Sequence, residues 1–295
     1  MSPAWKAHIA LFLVALIYGA NYSIAKVVLD DGYIQPKGFI LLRVATGVLL
    51  FTLLHRGWIR EKIKKTDWWR LMLCGLFGVA INQLFFFMGL KRTFPIHASL
   101  LMTTTPILVL IISALLIGER ITSRKILGVL LGAAGAILLL TQGKQVGWGQ
   151  TGLVGDLMVL INATSYGVYL VLVRKLMLRY HPITVVRWVF SFGLLYVIPF
   201  GAGELYSVDW ASFHSWIWLA VIYVLIFTTF FTYLFNAFAL SVVSPAVVSF
   251  YIYLQPLLAT IIALFMGQDQ VDWIKAGAAL LIFSGVYLVS RTRTN

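Results

Sequence analysis

The chain repeats itself. Displaced by 150 residues, Trp68 falls on Trp218, Leu84-Phe85 on Leu234-Phe235, Leu90 on Leu240, Pro95 on Pro245, Ser99 on Ser249, Pro106 on Pro256 and Ile111-Ile112 on Ile261-Ile262. Shared hydrophobicity alone does not hold one register across several segments, so the chain divides into two related halves, 1–145 and 146–295. The opening segments match at smaller offsets: Tyr18-Gly19 on Tyr166-Gly167 and Lys26 on Arg174 at 148, Arg43 on Arg187 at 144. Connecting loops that differ by a few residues account for this drift.

Both halves are apolar enough to lie in lipid. The chain is 61% hydrophobic and 11% charged, with a mean hydropathy of +0.92, which excludes a soluble domain. Crossing a bilayer takes roughly 20 apolar residues per helix. Ten such stretches are read at approximately 6–28, 36–54, 68–90, 94–117, 123–141, 152–174, 182–202, 214–238, 244–267 and 272–290. Their apolar runs are continuous rather than alternating, which excludes a transmembrane barrel of the usual pattern. The expected fold is an all-α integral membrane protein of ten helices. Five spans per half force the second half to enter the membrane upside down, so the halves form a 5+5 inverted repeat within one membrane domain.

The placement of charge gives the orientation. Lys and Arg crowd the loops after even-numbered spans: Arg56, Arg60, Lys62, Lys64, Lys65 and Arg70; Arg120, Arg124 and Lys125; Arg174, Lys175 and Arg179. With Lys6, Arg291 and Arg293 that face holds 15 cations, against six on the other, which also carries Asp30, Asp31, Glu204, Asp209, Asp269 and Asp272. Both termini are therefore expected in the cytoplasm of a multi-pass protein of the cell (inner) membrane. The net charge of +13 then needs no nucleic-acid partner. Cys74, the single cysteine, lies inside the third span and reads as a small buried residue; no Cys/His spacing suggests a metal, and no cofactor is expected. The first apolar stretch is too long for a signal peptide's core and lacks a small-x-small cleavage site.

Punctuation fits the ten spans. Pro36, Pro95 and Pro182 stand at helix starts. Asp67-Trp68-Trp69 reads as a cap and interfacial aromatic pair opening the third span, and Asp209-Trp210 serves similarly before the eighth. Gln142 to Gly152, rich in Gly and Gln, links the halves on the outer face. Gly128, Gly132 and Gly135, with Gly277, Ser284 and Gly285, form small-residue faces for close helix packing or, as a weaker reading, a dimer seam, leaving monomer or homodimer open.

Polar groups deep in a bilayer normally face the bundle or a water-filled cavity. The first span carries Tyr18, Asn21 and Tyr22 on one face, followed by Lys26; the sixth carries Asn162, Tyr166 and Tyr169. The third offers Asn82, Gln83 and Phe86, and the eighth Thr229, Thr232, Tyr233 and Asn236. These four helices hold equivalent places in the two halves. A central substrate cavity lined by all four would give the groups partners; interhelical hydrogen bonding as packing glue is the alternative. Thr103-Thr104-Thr105-Pro106 and Tyr251-Tyr253-Gln255-Pro256 lie mid-span at matching positions, so Pro106 and Pro256 read as paired kinks, either gating or static, with Tyr253 added to the candidate site. Lys26 could meet a substrate carboxylate or snorkel to the interface. Arg43 could serve structure or an anionic solute. No Asp or Glu lies at the centre of a span, so direct proton antiport through a central carboxylate finds no support.

The tract Ile17-Tyr18-Gly19-Ala20-Asn21-Tyr22-Ser23-Ile24-Ala25-Lys26 resembles the opening of EamA-type transporters in the drug/metabolite transporter superfamily. Ala98-Ser99-Leu100-Leu101 to Thr105-Pro106, then Gly118-Glu119-Arg120-Ile121-Thr122, Gly128 and Gly135, is similar to that family's fourth-to-fifth-helix signature. Ser244-Pro245-Ala246, Gln255-Pro256 and Gly277…Gly285 repeat it, with Gly267-Gln268-Asp269 replacing the usual Gly-Glu. The resemblance covers essentially the whole chain. It implies a ten-helix carrier, often an exporter of amino acids or other small metabolites. Alternating access by two mirrored halves is the expected mechanism, with a small amino acid of aromatic or apolar side chain as the expected cargo. Efflux of hydrophobic cations is the alternative. A membrane-embedded enzyme would need a nucleophile–base pair, carboxylate pair or metal spacing within the bundle, and none is read, so no catalytic residue is assigned.

Overall fold

The computed structural model describes residues 2–30, 32–59, 61–90, 92–93, 95–141, 152–265 and 272–290. The Gln142–Gly152 linker apart from its last residue, Gly267-Gln268-Asp269, and the side chains of Tyr22 and Lys26 lie outside the described residues. Helix α1 spans Pro3–Asp30 and α2 Pro36–Trp58. Helix α3 runs through Trp68–Gly75, a π-helical stretch Leu76–Ile81 and Asn82–Leu90. Helix α4 is broken into Pro95–Met102 and Thr105–Ile117; α5 is Ser123–Thr141.

The second half repeats the series. Helix α6 is Leu153–Met177 and α7 Pro182–Tyr206. Helix α8 comprises Ser215–Tyr223, a π-helical stretch Val224–Phe231 and Thr232–Val242. Helix α9 comprises Pro245–Phe250, a 3₁₀ turn Tyr251–Tyr253 and Leu254–Phe265, and α10 is Trp273–Ser290. Among the described residues nine spans are long and apolar enough to cross a membrane, and the tenth is shorter, Trp273–Val289. No strand occurs among them.

The two halves interlock rather than sit side by side. Helix α1 packs on α8 and α9, and its counterpart α6 packs on α3 and α4. The α2–α7 and α5–α10 pairs also cross between halves. The α2–α7 pair makes the inversion visible. Glu204, near the end of α7, accepts the backbone N–H groups of Lys37 (2.8 Å) and Gly38 (3.0 Å) at the start of α2. Glu61, just past the end of α2, accepts the N–H of His181 at the start of α7 (3.0 Å to the nearer oxygen). Each carboxylate meets the partial positive charge of the other half's helix N-terminus, which requires the two helices to run head to tail.

Helices α5 and α10 meet through glycine. A Cβ on Gly128 would lie 2.9 Å from the Gly285 carbonyl, and one on Gly285 2.6 Å from the Gly128 carbonyl. Gly135 likewise abuts the carbonyl of Ala278. Gly128, Gly135 and Gly285 are thus occupied within the chain, whereas a Cβ on Gly277 would meet nothing within 4 Å and Ser284 is exposed.

Three local expectations change. Asp67 does not cap α3, since its side chain makes no bond to that helix's N–H groups. It is drawn instead to the loop after α6, where Arg179 donates to both its oxygens (2.9 and 2.7 Å) and the Tyr180 hydroxyl donates to one (2.7 Å). Both oxygens accept from the one nitrogen, Arg179 Nη1, and Oδ2 takes the Tyr180 hydroxyl as well, so the carboxylate's acceptors are spent away from the helix. The prolines, secondly, open new helical segments instead of kinking continuous ones. Pro106 lies in the first turn of the second α4 segment, after the turn Thr103-Thr104. The hydroxyls of Thr103 and Thr104 donate to the carbonyls of Leu100 and Leu101, both at 2.6 Å. Asp209, thirdly, accepts from Ala211 N–H at 3.1 Å and so caps a short 3₁₀ turn, Trp210–Ser212, rather than α8, which starts at Ser215 without a side-chain cap. Gly118, at φ 69°, ends α4, and Glu119 pairs with Lys125 of α5 at 2.8 Å.

Candidate functional site on the pseudo-two-fold axis

In an inverted repeat, a residue that touches its own counterpart must lie at the axis relating the halves. Two pairs do so. Gln83 Nε2 donates to the Tyr233 hydroxyl at 3.4 Å, and the Tyr253 hydroxyl donates to the Thr103 carbonyl at 3.0 Å; in each pair the numbers differ by 150. The axis therefore passes through the middle of α3 and α8 and through the breaks of α4 and α9.

Around the first pair the π-helical stretches shape the surroundings. Such stretches widen the backbone coil and leave carbonyls that need other donors. The Phe77 carbonyl accepts from Ser165 Oγ (2.6 Å), the Gly78 carbonyl from the Tyr233 hydroxyl (3.4 Å) and the Asn82 carbonyl from Asn162 Nδ2 (2.6 Å). In α8 the Val224 carbonyl takes the hydroxyls of Thr228 and Thr229 (2.7 and 3.0 Å). Gly78 is required here: a Cβ on it would lie 2.3 Å from the ring of Tyr169. Gly47 similarly admits the Phe190 ring, which meets Tyr233 edge-on with centroids 4.6 Å apart.

The candidate residues separate into three groups. Tyr18, Tyr166, Tyr169 and Tyr233 lie near one another, Arg43 lies beside Tyr18 and Tyr233, and Tyr166 and Tyr169 have ring centroids 6.1 Å apart. Of the candidates, Tyr18, Asn82, Phe86, Tyr166, Tyr233 and Asn236 are half-buried. Among the described residues no side-chain hydrogen bond engages Tyr18, Asn82, Tyr166 or Asn236, although all four sit deep along their spans. Asn21 stands one turn from Tyr18 with a buried Oδ1 that has no hydrogen-bond partner.

A second group is committed to the scaffold. Asn162 is buried and donates Nδ2 to the Asn82 carbonyl, its Oδ1 having no partner. Gln83 bonds Tyr233, and Thr229, with no exposure, bonds backbone and Arg43. Tyr253 forms the third group, apart from the cluster: fully buried, edge-on to Phe250 and against Gly132, it bridges the helix breaks.

Arg43 emerges more strongly than the sequence suggested. Its Nε donates to Thr229 Oγ1 at 3.1 Å, and Tyr18 and Tyr233 lie close to it. The signal was available: Arg43 is one of three cations inside the apolar limits, and its counterpart is Arg187. The π-helical stretches carried no such mark, because they are written in ordinary apolar residues.

Comparison with known proteins agrees with this architecture. The sequence profile described as the EamA-like transporter family matches residues 5–141 and again 153–291. An uncharacterized transporter of Archaeoglobus fulgidus is 27% identical over 290 residues, covering 97% of each chain. The transporter YyaM of Bacillus subtilis, also uncharacterized, is 23% identical over 97% of this chain and 96% of its own. A protein of Streptantibioticus cattleyicolor named a probable terminal-alkyne amino-acid exporter is 24% identical over 97% of this chain and 94% of its own. A solved crystal structure, 22% identical, superposes with a TM-score of 0.78 over 96% of both chains and shares the fold. The duplication, the interlocked ten-helix bundle and the profile matched once in each half together make this chain a member of the EamA-like transporter family.

Proposed function

We propose that the chain is a secondary transporter that moves small amino acids with apolar or aromatic side chains by alternating access, as an exporter of the cell (inner) membrane. Repeats 1–145 and 146–295 form its two mirrored halves, and the cationic loops keep both termini cytoplasmic. The observation that carries this reading is the set of half-buried, unbonded polar groups on Tyr18, Asn82, Tyr166 and Asn236 around the axis pair Gln83–Tyr233. Polar groups left without partners in mid-membrane are costly unless water or a solute meets them. Tyr18, Phe86, Tyr166, Tyr169 and Tyr233 would wall an apolar side chain, and Asn21, Asn82 and Asn236 would orient its polar end. Tyr22 and Lys26 extend the same helix. The relative named as a probable amino-acid exporter supports the choice of cargo and direction.

The test is counterflow of labelled L-phenylalanine in proteoliposomes. Saturable exchange that falls at least tenfold in Tyr166→Ala and Asn236→Ala is expected. Exchange unaffected by both substitutions refutes the site.

A further inference from the structure

Arg43 sits seven residues into α2, about 10 Å along the helix from Pro36. It faces α8, where Nε donates to Thr229 Oγ1 at 3.1 Å. The Nη atoms make no hydrogen bond among the described residues, and Arg43 is half-buried rather than buried.

Among the described residues no acid pairs with this cation. Every described carboxylate is committed near a membrane edge: Glu61 to His181, Asp67 to Arg179, Glu119 to Lys125, Asp156 to Thr93, Glu204 to the start of α2, Asp209 to Ala211 and Asp272 to Lys275. Asp30 ends α1 twelve residues beyond Tyr18, about 18 Å along the helix.

The repeat supplies a comparison within the same molecule. Arg187, the counterpart of Arg43, bonds His55 Nδ1 at 3.1 Å and lies over the Trp188 ring at 4.9 Å. Arg187 is thus met by a ring nitrogen and an indole face, although its buried Nε has no partner. Arg43 is bonded only through Nε among the described residues, with Tyr18 and Tyr233 beside it.

A guanidinium held in a weakly polarisable site without a countercharge is strongly unfavourable unless an anion completes it. Its planar fork matches a carboxylate through two parallel hydrogen bonds. We propose that Arg43 is the anchor for a carboxylate on the transported solute, and that its unpaired charge excludes solutes whose only charge is positive. This rests on the transport reading of the same cluster. It deepens that reading by fixing the charge of the cargo, and it sets aside the hydrophobic-cation alternative.

The test uses a reporter cysteine, Asn236→Cys in a Cys74→Ala background of the full chain in proteoliposomes. It is labelled with an anionic or a cationic methanethiosulfonate. The anion-to-cation rate ratio, normalised to a free small thiol, is expected to be raised by about tenfold. Arg43→Lys should retain this preference and Arg43→Gln should lose it. 3-Phenylpropionate should slow labelling in the Arg43 protein and not in Arg43→Gln, while phenethylamine should not slow it.

An anion preference equal in the Arg43 and Arg43→Gln proteins overturns the anchor and leaves the transport reading standing. Absence of labelling by either reagent means that the cluster does not meet water, and both readings fall. Protection by phenyl phosphate but not by 3-phenylpropionate overturns the assignment to a carboxylate.

Discussion

Gly78→Ala adds one methyl group to the π-helical stretch of α3, at the place already held by Tyr169. The new Cβ would stand 2.3, 2.6 and 2.7 Å from three ring carbons, against an optimum of about 3.5–4.0 Å. The ring must therefore withdraw by about 1 Å. Tyr169 is only 4% exposed, so withdrawal requires α3 and α6 to part or the π turn to rewind. Overpacking of this kind costs about 1–3 kcal/mol. That lowers the folded-to-unfolded ratio by about 5- to 150-fold.

Titration of sodium dodecyl sulfate into mixed micelles, followed by tryptophan fluorescence, reads the change. Tyr169→Leu removes the obstructing ring and should return part of the loss. The double-mutant cycle is expected to show a coupling of about 1–2 kcal/mol. Stability of Gly78→Ala within 0.5 kcal/mol of the parent, or additive effects in the double mutant, would refute the close approach of α3 and α6 on which the site's geometry depends.

Other outcomes follow from the same structure. Glu204→Ala strips two N–H groups and a helix N-terminus of their acceptor, and should cost about 1–2 kcal/mol in the same titration. Gly285→Ala drives a Cβ to 2.6 Å from a backbone carbonyl of α5 and should destabilise by about 1–3 kcal/mol; Gly277→Ala, with nothing within 4 Å, should be neutral or gain up to about 1 kcal/mol. Burial and its bond to Asp67 hold the Tyr180 phenol above its ordinary value of about 10. The folded chain thus keeps a proton that the unfolded chain releases, a contribution whole below about pH 10 and lost as pH rises beyond it. Unfolding curves across that range should fall less steeply for Tyr180→Phe than for the parent.

The fold was legible because lipid leaves few alternatives: apolar runs of spanning length must be helices, and five per half must invert. Pro36, Pro95 and Pro182 open helices as read, since a proline costs least where an N–H has no partner. Asp67 was misread because its choice between a local cap and Arg179 depends on a loop more than a hundred residues away. The candidate stripes fall on α1, α3, α6 and α8, helices legible from their apolar runs. Their division was not legible: Asn162 and Asn82 look alike in sequence, yet the Asn162 amide donates to the Asn82 carbonyl while the Asn82 side chain makes no hydrogen bond among the described residues. That choice depends on which helix packs against which, and no residue type announces it.

The 3.0 Å bond from Tyr253 to Thr103 ties two jointed rods at their joints and so forms a fulcrum. On α4 the arms number 8 and 13 residues, and on α9 they number 6 and 12. Those lengths correspond to about 12 and 20 Å, and about 9 and 18 Å. Because the rods run in opposite directions, each membrane surface receives one long arm and one short. A swing of about 10° carries a long tip roughly 3 Å, about the width of a water molecule, while the short tip beside it moves about 2 Å or less. In the alternating access proposed above, leverage of this kind would let a rotation small enough to leave the tied centre intact open a passage at the rim.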